Sequence, residues 1–376
     1  MIYLDNAATT QVLPEVFEVM KPYLQERYGN PSSLYPLGEQ SSNAITEAKQ
    51  TIADTLNCST DEIHFTAGAT EANNWVIKSV AEMQKGFGNH IITSKIEHHS
   101  VLNTCKYLET KGYEVTYLDV DENGVVSLKQ LKEAIKPTTI LVSIMYVNNE
   151  TGVVQPIEEI ADIIYGYNGY NALFHVDATQ AYTHMQIDPN RLKIDYMSVS
   201  GHKFHASKGV GFLFTSQQFA PKLTPLLHGG SQESGLRAGT ENVASIVGMA
   251  KAAEIACNEM VEVENHKHAL INRVIDTLTE RGIDFTVNGD GKGTCNITLH
   301  GVDATVLSYV LFTQDVCVST GSACAKGVRS HVLKAMGLSD EDIDSSIRIS
   351  VSKLNTEEEI ETFCYKLLAA IYLLKE

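Results

Sequence analysis

Short, continuous apolar runs alternate with helical stretches over most of the first 215 residues, and few folds accept that pattern. The runs are Ile63–Thr66, Ile91–Ser94, Ile140–Met145, Leu173–Val176, Met197–Ser200 and Val210–Phe214. Helical patterns over Glu39–Leu56, Glu71–Met83, Val101–Glu109 and Ile157–Tyr165 lie between them. A strand that is apolar on both faces has to be covered on both faces. The expectation is therefore α/β, with a mostly parallel sheet flanked by helices. After about residue 240 the pattern changes. One long helical stretch, Glu241–Glu280, precedes short strands around Asn296–Thr298 and Ile347–Ile349 and a last helix over Thr356–Lys375. This predicts a smaller α+β domain. A chain of 376 residues also exceeds one ordinary core. The expected division is a large domain over 15–260 and a small domain made of 1–14 with 261–376.

Charge and cysteine usage exclude several function classes. A net charge of −17 argues against direct nucleic-acid binding. No apolar run reaches membrane-spanning length. The segment Met1–Asp5 has neither a basic region nor an apolar signal core, so no secretion signal is expected. The seven cysteines are scattered and form no CxxC pair. That spacing suits neither a disulfide framework nor a structural zinc site, and it points to a reducing cytoplasm.

Four segments carry chemistry. Ser200-Gly201-His202-Lys203 puts a lysine at the end of a predicted buried strand. An ammonium there costs free energy to desolvate, whereas a Schiff base to an aldehyde cofactor does not leave that charge. Phe174 to Gln180 puts Asp177 at the end of the preceding strand, where open α/β sheets bind ligands. A fixed carboxylate is what a pyridinium nitrogen needs. Thr66-Ala67-Gly68-Ala69-Thr70 joins a strand to a helix through small residues, which suits a held phosphate. Gly321 to Gly327 surrounds Cys324 with small residues, as a mobile nucleophilic thiol requires. Lys326 and Arg329 add positive charge, which favours the thiolate. His98, in Glu97-His98-His99, follows a strand and suits ring stacking or proton shuttling. Taken singly, each has an ordinary reading: a surface lysine, a turn aspartate, a plain strand-to-helix turn, an exposed cysteine, a structural histidine.

In combination and in order, these motifs resemble a known family. Tyr3 to Thr10, Gly29 to Ser33, Gly-Ala-Thr-Glu, Val147 to Gly152, His175 to Gln180, Ser-Gly-His-Lys, Gly-Ser-Ala-Cys and Ser346 to Arg348 together resemble the cysteine desulfurases of the NifS/IscS type. These are class V aminotransferase-like enzymes of the fold-type I, pyridoxal 5′-phosphate-dependent group. The resemblance implies conversion of L-cysteine to L-alanine, with sulfur held on Cys324 as a persulfide. It implies that Lys203 holds the cofactor and moves protons, Asp177 pairs with the ring nitrogen and Gln180 with the ring oxygen. His98 would stack on the ring and act in acid/base steps. Ala69, Thr70, Ser200 and His202 would hold the phosphate, and Thr240 would reach the phosphate of a second subunit in a homodimer. Asn149, which also lies on the cofactor, and Arg348 would position the substrate carboxylate. A selenocysteine lyase, another fold-type I enzyme or a non-catalytic relative stays open as an alternative.

The segment after Cys324 departs from the family pattern. It is about two residues shorter than in members that serve iron–sulfur scaffolds, and it lacks their Glu-Pro-Ser. Two residues of extended chain span about 7 Å. The departure resembles short-loop, NifZ-like members dedicated to tRNA thiolation. The sulfur acceptor is thus expected to be a tRNA-thiolating enzyme, with an iron–sulfur scaffold as the other candidate.

Overall fold

The computed structural model describes residues 1–166, 172–219, 222–289, 293–320 and 329–375. Its strands are β1 (Ile2–Tyr3), β2 (Ile63–Thr66), β3 (His90–Ser94), β4 (Glu114–Leu118), β5 (Thr139–Met145), β6 (Leu173–Asp177), β7 (Tyr196–Ser200), β8 (Gly211–Thr215), β9 (Phe285–Asn288), β10 (Thr294–Leu299), β11 (Val316–Cys317) and β12 (Ser346–Ser350). Seven of them form one sheet in the order β2-β8-β7-β6-β5-β3-β4. β3 to β7 pair in parallel, while β8 runs antiparallel to both β7 and β2. The carboxyl ends of β2, β3, β5, β6 and β7 therefore share one edge, which is where an open sheet of this kind binds ligands.

Alternation along the strands divides the sheet into two covered faces. Phe174 and Val176 of β6 join Phe65, Val142 and Met197 in one core, covered by the helices Pro14–Gln25, Pro36–Leu56, Ile157–Gly166 and Val243–Asn258. Leu173, Leu141, Tyr196 and Leu213 face the opposite way, against the helices Ala69–Met83 and His99–Glu109. Every residue of β2, β3, β5, β6, β7 and β8 is buried. That is why these strands read as unbroken apolar runs.

A separate core surrounds the antiparallel sheet β12-β10-β9. It takes Ile2 and Leu4 from the start of the chain and packs them with the helices Met260–Glu280, Ala304–Phe312 and Glu357–Lys375. β1 enters by pairing in parallel with β11.

The helical stretch expected over Glu241–Glu280 is two helices, Val243–Asn258 and Met260–Glu280. Glu259, at φ −100° and ψ 2°, separates them. The first buries Ile246 and Met249 in the large-sheet core, and the second buries Leu270, Ile271 and Val274 in the smaller one. The break lets each segment present its apolar stripe to its own core. No helix of the described residues is long and apolar enough to cross a membrane.

Candidate active site

Ten of the twelve residues singled out in the sequence line one cavity of about 790 Å³. They are Ala69, Thr70, His98, Asn149, Asp177, Gln180, Ser200, His202, Lys203 and Arg348. Five strand ends, of β2, β3, β5, β6 and β7, and the first residues of the chain build it.

One end of the cavity suits an anion. β2 ends at Thr66, and Gly68, at φ 147°, turns the chain into the helix Ala69–Met83. The turn passes close over β8: a side chain on Gly211 would stand 2.7 Å from the Cα of Gly68 and 2.4 Å from the Val199 carbonyl oxygen. The N–H groups of Ala69 and Thr70 sit in the first helical turn, where no intrahelical carbonyl reaches them, at the positive end of the helix dipole. Glu71 would repel an anion there, but it accepts from the Ala67 N–H at 2.9 Å and from Arg237 at 2.9 and 3.2 Å. His202 faces the same end, with Nδ1 3.1 Å from the Thr9 hydroxyl. Burial, helped by Lys203 and Lys208, pushes the His202 pKa down to about 4. It is a neutral hydrogen-bonding group at pH 7.

A connected polar network occupies the middle. Asp177 ends β6 and accepts through Oδ1 from the Thr179 N–H at 3.0 Å and from the Thr179 hydroxyl. Its Oδ2 accepts from Asn73 Nδ2 at 2.7 Å. The same Asn73 amide donates to the Ser100 hydroxyl at 2.8 Å, and that hydroxyl lies 2.8 Å from His98 Nδ1. His98 is the N-cap of the helix His99–Glu109, its ring accepting from the Ser100 N–H at 3.1 Å. Burial lowers the His98 pKa. Asn73, Ser100 and Thr179 are absent from the sequence-derived set. For Asn73 a signal existed: it falls on the buried stripe of its helix with Ala72, Val76, Ile77 and Val80, where an amide needs a partner.

Lys203 follows β7 in a short 3₁₀ turn, Gly201–Lys203. Its Nζ donates to the carbonyl oxygens of Ala7 and Ala8 at 2.6 and 2.9 Å, and Gln180 Nε2 donates to the Ala7 carbonyl at 2.9 Å. The N-terminal segment thus lies across the lysine, tied down by the Thr10 N–H on the His202 carbonyl at 2.9 Å. Opposite stands Arg348, only 1% exposed, donating to the Asn149 carbonyl at 2.9 Å and to Asp5 at 2.6 Å.

Two of the twelve are not in the cavity as described. Thr240 is exposed, in a loop anchored by Lys49–Glu233 at 2.7 Å and by Arg237 on Glu71. Cys324, with its Gly321–Gly327 neighbourhood, lies outside the described residues. The flanks of that segment are held at the site. Ser319 exchanges backbone hydrogen bonds with Arg348 at 3.1 and 2.6 Å, Ser330 donates to Glu150 at 2.5 Å, and the His331 ring donates to the Glu97 carbonyl at 2.9 Å. Arg329 corrects one expectation. Its guanidinium is bidentate on Asp344 at 2.8 and 2.7 Å and bound to Asp340 at 2.7 Å. Two carboxylates therefore offset the charge expected to favour the thiolate. The six described cysteines are free thiols, and burial raises the pKa of each, of Cys58, Cys105 and Cys295 to about 12.

Comparison with known proteins bears on this arrangement. A family model described as Aminotransferase class-V matches residues 2–363. The cysteine desulfurase IscS of Methanosarcina thermophila is 45% identical over 367 residues, covering 96% of this chain and 89% of that protein. A solved structure described as a NifS-like protein superposes with a TM-score of 0.92 at 38% identity, covering 100% of this chain and 99% of the other. A second, described as SspA in complex with cysteine, gives 0.82 at 37% identity over 95% of this chain and 100% of the other.

Proposed function

Since the chain belongs to the class V aminotransferase family and is a pyridoxal-phosphate-dependent cysteine desulfurase, we propose which of its residues carry that activity. The carrying observation is the convergence of Lys203, Asp177 and His98 on one cavity that also holds the helix start at Ala69 and the guanidinium of Arg348.

The donor set fits the cofactor at both ends. The first-turn N–H groups of Ala69 and Thr70, with Ser200 and His202, would hold a phosphate. A side chain on Gly68 would stand 3.3 Å from the Ser200 hydroxyl, so glycine keeps that cradle open. Asp177, oriented by Thr179 and Asn73, would face the ring nitrogen, Gln180 the ring oxygen, and His98 the ring face. Asn149 would border the ring. When bound, pyridoxal phosphate supplies an aldehyde for Lys203 and an electron-withdrawing ring that loosens bonds around the substrate α-carbon.

The chain's own groups do the rest. Arg348 and Asn149 would bind the carboxylate of L-cysteine, the guanidinium giving a charge-assisted fork. The Lys203 amine would carry protons at the substrate carbon. The Cys324 thiolate would attack the substrate sulfur. An S–S bond forms and the C–S bond breaks, its electron pair staying with the carbon skeleton, which takes up a proton and leaves as L-alanine. Residues 1–14 with 261–376 would form a small domain carrying Cys324, and 15–260 the cofactor domain. Cys324 is four residues on from Thr320, a reach of about 14 Å at most.

Thr240 is proposed to act across a homodimer, because it is exposed and outside its own cavity. Mixing Thr240→Ala with Lys203→Ala subunits creates one site free of both lesions. Such heterodimers should recover roughly a quarter to a half of wild-type activity, as fits one intact site in two. Demonstrated subunit exchange without recovery would count against sharing.

The proposed acceptor is a tRNA-thiolating enzyme that brings its own thiol to Cys324. The short segment after Cys324 supports it. The protein is loaded with ³⁵S-cysteine and offered a tRNA-thiolating enzyme and an iron–sulfur scaffold at equal concentration. The thiolating enzyme should collect most of the label. Faster transfer to the scaffold reverses the acceptor reading, and failure to load with alanine release reverses the site reading.

A further inference from the structure

We propose that Asn73 and Ser100 are positioning residues that hold His98 as the tautomer with its proton on Nε2, so that this ring enters the reaction as a hydrogen-bond donor and not as a base at Nδ1. The proposal rests on the site reading above and deepens it.

The tautomer follows from donors whose identity is fixed. A backbone N–H can only donate, and the Ser100 N–H points at His98 Nδ1 from 3.1 Å. Nδ1 is therefore an acceptor, and the ring's proton lies on Nε2. Asn73 is assigned with the same certainty. One of its side-chain atoms faces the Asp177 carboxylate at 2.7 Å, so that atom must be the amide nitrogen. The same nitrogen donates to the Ser100 hydroxyl at 2.8 Å. With that lone pair taken, the Ser100 proton turns to Nδ1, 2.8 Å away. Two donors then converge on one ring nitrogen.

The chemical consequence is directional. A neutral imidazole with its proton on Nε2 can accept a second proton only at Nδ1. Here that proton would meet the Ser100 N–H head-on and force the Ser100 hydroxyl to rotate. The helix His99–Glu109 would also lose its N-cap bond. The surroundings act in the same direction. Burial, Lys203, His99 and His331 oppose a charge on His98, and they outweigh Asp177, which favours it. Proton transfer at the substrate carbon then falls to Lys203, while His98 stacks and donates. Asn73 makes the link specific, because it ties the ring to the carboxylate proposed for the cofactor nitrogen. Asn73 is fully buried, which fixes its amide in this one arrangement.

The test uses cofactor-free protein labelled with ¹⁵N-histidine, read by imidazole NMR across pH. His98 should show a protonated Nε2 and a bare Nδ1 at neutral pH. Removing a hydroxyl that donates to the neutral form raises the midpoint. Ser100→Ala should raise it by about 0.5–1 pH unit, and Ser100→Thr, which keeps the hydroxyl, should restore it. Asn73→Ala should produce part of the Ser100→Ala shift, because the Ser100 proton is no longer directed. A protonated Nδ1 at neutral pH, or a Ser100→Ala midpoint equal to the wild type, would overturn the proposal. Cofactor binding is scored separately by its visible absorption band in the same variants. Loss of that band with an unchanged tautomer points to the site reading instead.

Discussion

Replacing Lys203 by alanine is expected to lower the rate of alanine formation by about 10³-fold or more, since one side chain is being asked to hold the cofactor and to move protons. The protein should fold. The Ala7 carbonyl keeps its bond from Gln180, and the N-terminal segment keeps the Thr10–His202 hydrogen bond. Lys203→Arg separates charge from chemistry. Arginine restores a cation beneath Ala7 and Ala8 but cannot condense with an aldehyde at neutral pH. It should be as inactive as the alanine variant and should lack the visible band of cofactor-loaded wild type. Near-normal turnover in either variant would remove Lys203 from its proposed role. Lys208, the neighbouring lysine, is exposed at the rim of the same cavity and would become the candidate.

Replacing Cys324 by serine should have an effect of similar size on a different step. The cofactor band and its response to cysteine should survive, while persulfide and alanine production fall by on the order of 10³-fold, since a hydroxyl is a poor nucleophile at neutral pH. Other thiols are badly placed to substitute. Cys105 is fully buried and pushed up to about 12 by burial, with Glu97 and Glu109 adding to the shift. Cys317 is half-buried, and burial raises it too. Labelled sulfur is measured on peptides after alkylation of the wild type and the variant. Label on Cys317 or Cys105 in the wild type would show that the accepting thiol is not Cys324.

The large sheet was legible because most of its strands are buried on both sides. β4 was not, since it is an edge strand whose residues, apart from Leu118, are exposed or only partly buried, and Glu-Val-Thr-Tyr-Leu lacks an apolar run. The break at Glu259 left no mark, because neither glycine nor proline accompanies it. Its cause is the change from one core to the other, which lies outside the local sequence. Site residues at strand ends, such as Asp177 and Lys203, could be read from position and charge. Asn73 and Ser100 could not be joined to them, because their partners lie on other elements. The charge of Arg329 was visible, but its pairing with Asp340 and Asp344 depends on a later helix, Asp340–Asp344, folding back against it.

The position of β1 has a consequence for how the enzyme is made. Ile2 pairs with Val316, and the Leu4 carbonyl accepts from the Ser350 N–H, so these residues wait for partners made more than 300 positions later. At roughly 5–20 residues per second, more than 300 residues of translation take about 15–60 s. Through that interval the Ala7 and Ala8 carbonyls that hold Lys203 are anchored only by the bonds from Gln180, Lys203 and the Thr10–His202 pair, without the pairing of β1 or the Ser350 bond. The last anchors of the segment over the lysine form only once β11 and β12 have been made. Cofactor capture in the final geometry is therefore expected to follow the synthesis of β12.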